Sequence, residues 1–259
     1  MSTAIIGGSG FTQLSDFAIS QRIEIDTPYG SPSAQILTGR LFGLEPEIVF
    51  LPRHGAHHQI QPHKINYRAN IYALKELGVS KIVALAAVGG IDVPCKPGAI
   101  IIPHQILDYT YGREVTFFDQ EGDVAHAEFT EPYSSELRAL FIQAAERTAS
   151  KIVNRGVYAV TQGPRFETAA EIQKLQRDGA TIVGMTGMPE AILARELGMA
   201  YMTVALSVNY AAGVQSGLIE HDDIQSSYNV AARKFQVILK DCLENIVDAD
   251  VKVPELIRP

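Results

Sequence analysis

Thr161-Gln162-Gly163-Pro164-Arg165-Phe166-Glu167-Thr168 and, further on, Gly184-Met185-Thr186-Gly187-Met188-Pro189-Glu190 decide how the chain is read. Each block follows a short apolar run, Val157 to Val160 and Thr181 to Met185. Each precedes a stretch of helical spacing, Ala169 to Arg177 and Pro189 to Leu197. Two strand-to-helix handovers of this kind predict an α/β fold, in which ligands sit outside the carboxyl ends of the strands. Polar side chains beside an aromatic ring and a thioether at two such ends suit a small ligand with a flat ring.

Outward from these blocks the alternation continues. Thr3 to Ile6 reads as a strand running into Gly7-Gly8-Ser9-Gly10, and Ile48 to Leu51 as one ending in Pro52-Arg53-His54-Gly55. Asn66 to Leu77 is a predicted helix stopped by Gly78. Lys81 to Ala87 is a predicted buried strand, with Val88-Gly89-Gly90 expected as a glycine turn. Ala99 to Ile102 is a further strand, Ser135 to Ser150 a helix, and Ala200 to Ser207 a strand that delivers Asn209. Ile224, Tyr228, Ala231, Phe235, Ile238, Cys242 and Ile246 recur at three or four residues, the spacing of a helix with one buried face. Tyr109 to Pro132 is polar and irregular, which suits a long loop or hairpin at a site or a subunit contact. The expectation is one α/β domain over residues 1–259, a twisted mixed sheet flanked by helices.

A chain of 259 residues can bury a core without staples. Cys95 and Cys242 form neither a disulfide framework nor a zinc pattern, and no charged-then-apolar leader is evident, so the expected compartment is the cytoplasm. No apolar run approaches the ~18 residues of a membrane span. A net charge of -7 argues against a nucleic-acid surface, which works by neutralising phosphates with Lys and Arg.

Single motifs leave alternatives open. Gly7-Gly8-Ser9-Gly10 either holds an anion on exposed amides or is a plain tight turn, and Gln13 stands where a dinucleotide fingerprint needs its third glycine. His57, His58 and His63 near Arg53-His54 raise a metal site, but Gly55 and Pro62 break the helix that an i, i+4 histidine pair requires. Solvated loop histidines are the plainer reading. Arg53 with His54 better suits a phosphate, the guanidinium as a planar fork and the imidazole as a further donor. Phe166 is either core or a ring for stacking on a purine or sugar. Glu167 is either a carboxylate placed at a strand end for a ligand or an exposed helix-start acid favoured by the dipole. Met185 offers an apolar contact and Thr186 a hydroxyl, with Gly184 and Gly187 expected to clear space for a ligand.

Taken in order, Gly7-Gly8-Ser9-Gly10, Arg53-His54-Gly55, Asn66-Tyr67-Arg68-Ala69-Asn70, Gly163-Pro164-Arg165-Phe166-Glu167 and Met185-Thr186-Gly187-Met188-Pro189-Glu190 resemble the trimeric purine nucleoside phosphorylase and methylthioadenosine phosphorylase family. The resemblance spans almost the whole chain. It implies the nucleoside phosphorylase fold, with a partly barrel-like sheet, and phosphorolysis: inorganic phosphate displaces a purine from a nucleoside, with no metal or organic cofactor. By that resemblance Ser9, Arg53, His54 and Thr186 hold phosphate, with the backbone at Ala86 and Ala87. The methylthioadenosine branch usually has threonine at the Ala86 position, so one hydroxyl contact is missing from the pattern. Phe166 and Met185 are implied to contact the sugar, and His126 to close the site of a neighbouring subunit in a homotrimer or a hexamer of two trimers.

The base pocket departs from the adenine-specific pattern, which has aspartates at the Asn209 and Ala211 positions and serine at Glu167. Asn209 and Glu167 resemble instead the pair of the inosine and guanosine enzymes. A 6-oxopurine presents an acceptor at position 6 and an adjacent N–H donor, so an amide can donate to the first and a carboxylate accept from the second. Leu218 and Ile219 are candidates for an apolar lining at the sugar's 5′ end. His221 either matches a histidine that grips a 5′-hydroxyl or is a loop or N-cap residue. The favoured substrate is S-methyl-5′-thioinosine, ahead of inosine or guanosine and of methylthioadenosine. Two readings of another kind are a nucleoside-binding protein without turnover and metal-dependent hydrolysis.

Overall fold

The computed structural model describes residues 2–8, 16–45, 47–217, 220–246 and 249–258. The strands are β1 (Ser2–Gly7), β2 (Phe17–Ile23), β3 (Ile36–Leu41), β4 (Ile48–Pro52), β5 (Val79–Gly90), β6 (Ile100–Ile101), β7 (Gln105–Tyr109), β8 (His126–Ala127), β9 (Val157–Thr161), β10 (Ile182–Gly184), β11 (Ala200–Tyr210) and β12 (Leu256–Ile257). The helices are α1 (Tyr67–Glu76), α2 (Ser135–Arg147), α3 (Ala169–Arg177), α4 (Glu190–Glu196) and α5 (His221–Ile246). The expected α/β class and nearly every expected element are present. The termini follow local chemistry: the Asn66 side chain accepts the Ala69 N–H to start α1, and Thr168 and Glu171 form a reciprocal capping box on α3.

Ten strands form one mixed sheet in the order β2-β3-β4-β1-β5-β10-β9-β7, with β11 also paired to β5 and carrying β6. Long β5 is its spine. Strands β4, β1, β5 and β11 run parallel, as do β7, β9 and β10, but β10 meets the end of β5 antiparallel, Val183 opposite Gly89. The two parallel groups therefore approach head-on, and the carboxyl ends of both open onto the same region. Ligand sites of α/β folds lie at such ends.

Alternation along the strands sends neighbouring residues to opposite faces. Ala4, Ile6, Ile82 and Ala84 join the apolar cluster under α1 and α4, while Ile5, Phe50, Val83 and Val204 join the one under α2 and α5. Cys242, Phe235 and Ile238 of α5 are buried in the second cluster, as the helical spacing requires.

Two differences from the sequence reading have plain causes. Val88-Gly89-Gly90 is the end of β5 and not a turn. A side chain at Gly90 would overlap the Cys95 carbonyl, so glycine here admits a close-packed 3₁₀ turn at Val93–Cys95. The β2–β3 hairpin escaped notice because β2 is an edge strand exposed along most of its length, without an apolar alternation to mark it. The Tyr109–Pro132 stretch is mostly loop, interrupted by β8, which pairs with β12 of the C-terminal segment.

Candidate active site

A cavity of about 650 Å³ opens at the convergent strand ends. It brings together Arg53 and His54 after β4, Ala86 and Ala87 of β5, Phe166 and Glu167 after β9, Met185 and Thr186 after β10, and Asn209 and Ala211 at the end of β11. His126 lies on exposed β8 and is absent from this cavity's lining. Ser9, Leu218 and Ile219 lie outside the described residues, as does the side chain of His221, the first residue of α5.

Arg53 is only 2% exposed, and its fork does not face the cavity freely. Its Nε and Nη2 donate to the two carboxylate oxygens of Glu190 at 2.6 and 2.7 Å, and its Nη1 donates to the Leu85 carbonyl at 2.7 Å. Glu190 is 0% exposed and also accepts the Tyr201 hydroxyl at 2.8 Å. Burial alone would lower the Arg53 pKa, but the Glu190 carboxylate outweighs it and holds the guanidinium firmly ionised. Three of the five N–H groups of the arginine are thus committed, leaving two. The charge of this arginine is already matched by a buried acid. Glu190 was visible only as the last residue of a motif, because its partner is 137 positions away.

His54 has a fixed orientation. Its Nδ1 lies 2.9 Å from the Ile60 carbonyl, which can only accept, so Nδ1 carries the hydrogen. Burial first, and then the charge of Arg53, push its pKa down to about 4, so the ring is neutral near pH 7. In that state Nε2 offers a lone pair; it donates only when the ring is protonated. His58 stacks on His54 with ring centroids 4.5 Å apart and also lines the cavity.

The second half of the cavity rests on two strand ends. Thr161 Oγ1 donates to Glu167 Oε1 at 2.7 Å, orienting the carboxylate. Phe166 is 53% exposed and lines the cavity, so it is not core. Arg165 points away to form an exposed pair with Glu171 of α3. Gly184 lines the cavity, and both glycines have a packing role as well: a Cβ at Gly184 would come within 2.7 Å of the Tyr158 hydroxyl and one at Gly187 within 2.8 Å of its ring. Their bareness admits buried Tyr158, whose hydroxyl lies 3.5 Å from the Thr186 amide, and so packs the loop that presents Thr186.

Asn209 reaches the cavity through a bulge. The β5–β11 register slips between Ser207 and Asn209, leaving Val208 as the extra residue. Leu206 and Val208 face the cavity before the slip, and Asn209 and Ala211 after it. An unbroken strand would turn Asn209 to the opposite face. Its Nδ2 donates to the Tyr210 carbonyl at 2.7 Å, which leaves one N–H and the Oδ1. Ile224, Gln225 and Tyr228 of α5 complete the lining. Ile224 and Tyr228 were legible only as members of an apolar helix face, since spacing does not tell a core from a cavity.

Among the described residues no group of three His, Cys, Asp or Glu is placed to hold a metal ion, and no helix is long and apolar enough to cross a membrane. Comparison with known proteins agrees with this architecture. Residues 2–244 match the model of the phosphorylase superfamily. The chain is 48% identical over 237 residues to a Pseudomonas syringae pv. tomato protein named a probable S-methyl-5′-thioinosine phosphorylase, covering 91% of this chain and 96% of that one. It is 48% identical over 229 residues to the 6-oxopurine nucleoside phosphorylase of Pyrococcus furiosus, covering 85% and 84%. Methylthioadenosine phosphorylase from Schistosoma mansoni, solved with adenine, superposes with a TM-score of 0.89 at 31% identity, over 96% of this chain and 93% of that one. With its sheet, its strand-end cavity and a family match over nearly its whole length, the chain belongs to the phosphorylase superfamily and is a pentosyltransferase.

Proposed function

We propose that the protein, as a single nucleoside phosphorylase domain, catalyses phosphorolysis of S-methyl-5′-thioinosine to hypoxanthine and S-methyl-5-thioribose 1-phosphate. The observation that carries this reading is Glu167 and Asn209 lining one cavity with Arg53, His54 and Thr186. A carboxylate can only accept and an amide N–H can donate, so the pair complements the N–H and carbonyl of a 6-oxopurine. Adenine offers the reverse pattern at both atoms. The methylthioinosine and 6-oxopurine relatives point the same way.

In the proposed reaction a phosphate oxygen attacks the anomeric carbon, and the bond to the purine nitrogen breaks with its electrons going to the base. The two uncommitted Arg53 N–H groups, the Thr186 hydroxyl, Ser9 and the amides at Ala86 and Ala87 bind phosphate. His54, neutral before binding, accepts a phosphate proton or takes up one of its own and donates. The remaining Asn209 N–H donates toward the purine's imidazole nitrogen and 6-oxygen, where negative charge collects as the bond to the sugar breaks. Phe166 and Met185 pack on the sugar. Leu206, Val208, Ile224 and Tyr228 give the cavity apolar surface for a methylthio group. Inosine or guanosine is the second reading, favoured by Gln225 in the same lining and by His221.

No metal or organic cofactor enters this scheme, phosphate being a co-substrate. We place the enzyme in the cytoplasm as a homotrimer, or a hexamer of two trimers, with His126 serving a neighbouring subunit. The test is purine release from methylthioinosine with and without phosphate and with a chelator. Release that needs phosphate and ignores the chelator supports the scheme. Release without phosphate would assign hydrolysis, and binding without release a non-catalytic receptor.

A further inference from the structure

The loop after β7 carries a guanidinium whose partners are unusual in kind. Arg113 Nη1 donates to the Met185 and Met188 carbonyls at 2.9 and 2.5 Å and approaches the Tyr67 hydroxyl at 3.2 Å. Its Nη2 donates to the Gln162 and Thr161 carbonyls at 2.9 and 3.3 Å, and its Nε donates to Gln162 Oε1 at 3.0 Å. None of these acceptors is a carboxylate. Four are backbone carbonyls, two from the loop after β10 and two from the end of β9, so a single planar group staples the two strand ends together. The carbon of the guanidinium lies 5.4 Å from the Tyr67 ring centroid, which further fixes its plane.

The two stapled segments carry different halves of the site. The β9 end holds Thr161, whose hydroxyl orients Glu167, and the β10 loop holds Met185 and Thr186. The staple is itself anchored: the Tyr111 amide donates to the same Gln162 Oε1 at 3.2 Å, and Thr116 Oγ1 and the Phe117 amide both donate to Glu196 of α4 at 2.7 Å. We infer, on the phosphorolytic reading above, that Arg113 is a positioning residue that sets the base-binding end of the site against its phosphate-binding end. It acts through Thr161 and Glu167 on one side and through the Met185–Met188 backbone on the other. Lysine cannot replace it, because one ammonium lacks the rigid fork that spans two backbones.

The test compares wild type, Arg113→Lys and Arg113→Ala, with fold checked by circular dichroism and thermal unfolding, and with kcat and KM measured separately for nucleoside and phosphate. A misplacement of about 1 Å can cost on the order of 10²-fold, so a folded Arg113→Lys is expected to lose between about 10- and 100-fold in kcat, with both KM values raised. Millimolar guanidinium chloride is expected to restore part of the Arg113→Ala activity. A purely structural arginine would lower the melting temperature and leave the folded enzyme's constants unchanged. Folded Arg113→Lys within twofold of wild type for both substrates would overturn the inference, and this variant decides alone if Arg113→Ala does not fold. A wild type that releases no purine with phosphate would instead fail the phosphorolytic reading, which separates the two outcomes.

Discussion

Asn209 and His54 are where single atoms matter most. With one amide hydrogen held by Tyr210, Asn209 has one N–H and its Oδ1 left for the departing base, and no neighbouring side chain on β11 can substitute. Asn209→Ala is expected to lower kcat by about 10² or more, as for removal of one donor to developing charge. Turnover equal to wild type would remove Asn209 from the mechanism. For His54 the measurable quantity is stability. Its folded pKa, about 4, lies below the unfolded 6.5, so the unfolded chain binds more protons between these values. This contribution is complete above pH 6.5 and drains away as pH falls to 4, at most on the order of 3 kcal/mol. Urea unfolding across this window should steepen with acid for the wild type and less so for His54→Asn; equal slopes would contradict the assigned burial. Both residues were legible in the sequence as types in a motif. Their hydrogen-bond commitments were not, because Ile60 and Tyr210 act through backbone oxygens that no side-chain pattern reveals.

At the level of elements, the site depends on how strand ends are packed. Gly187 borders Tyr158 and Val160 so closely that a methyl would lie 2.8 and 3.1 Å from their side chains. Gly187→Ala is expected to destabilise the fold by about 1–3 kcal/mol, the usual cost of overpacking, and to raise the KM for phosphate by displacing Thr186. Denaturant unfolding together with phosphate-dependent kinetics checks both effects, and an unperturbed variant would refute the packing role. Strands and helices with apolar runs or caps, such as Val157 to Val160 and the Thr168 start of α3, were legible because local chemistry determines them. The bulge at Val208 was not: Ser207-Val208-Asn209 reads as ordinary alternation, and the slip exists only in register with Val88 and Gly89 on another strand. The same holds for Arg53 and Glu190, whose pairing needs the fold to bring the end of β4 to the start of α4.

For the whole molecule, two parallel strand groups meeting at β5 bring the ends of β4, β5 and β11 to the same cavity as the ends of β9 and β10. This arrangement follows from strand order, which the sequence suggests only through the resemblance of its motifs taken together. This one chain contributes Arg53, His54, Phe166, Glu167, Met185, Thr186 and Asn209 to the cavity. The proposal as a whole stands on the match between Asn209 with Glu167 and a 6-oxopurine. Its most direct test is kcat/KM for S-methyl-5′-thioinosine against methylthioadenosine at saturating phosphate, with inosine and guanosine alongside. The account predicts that methylthioinosine exceeds methylthioadenosine by up to about 10⁴, the discrimination available to a site built around one hydrogen-bond pattern. Equal or better use of methylthioadenosine would contradict it.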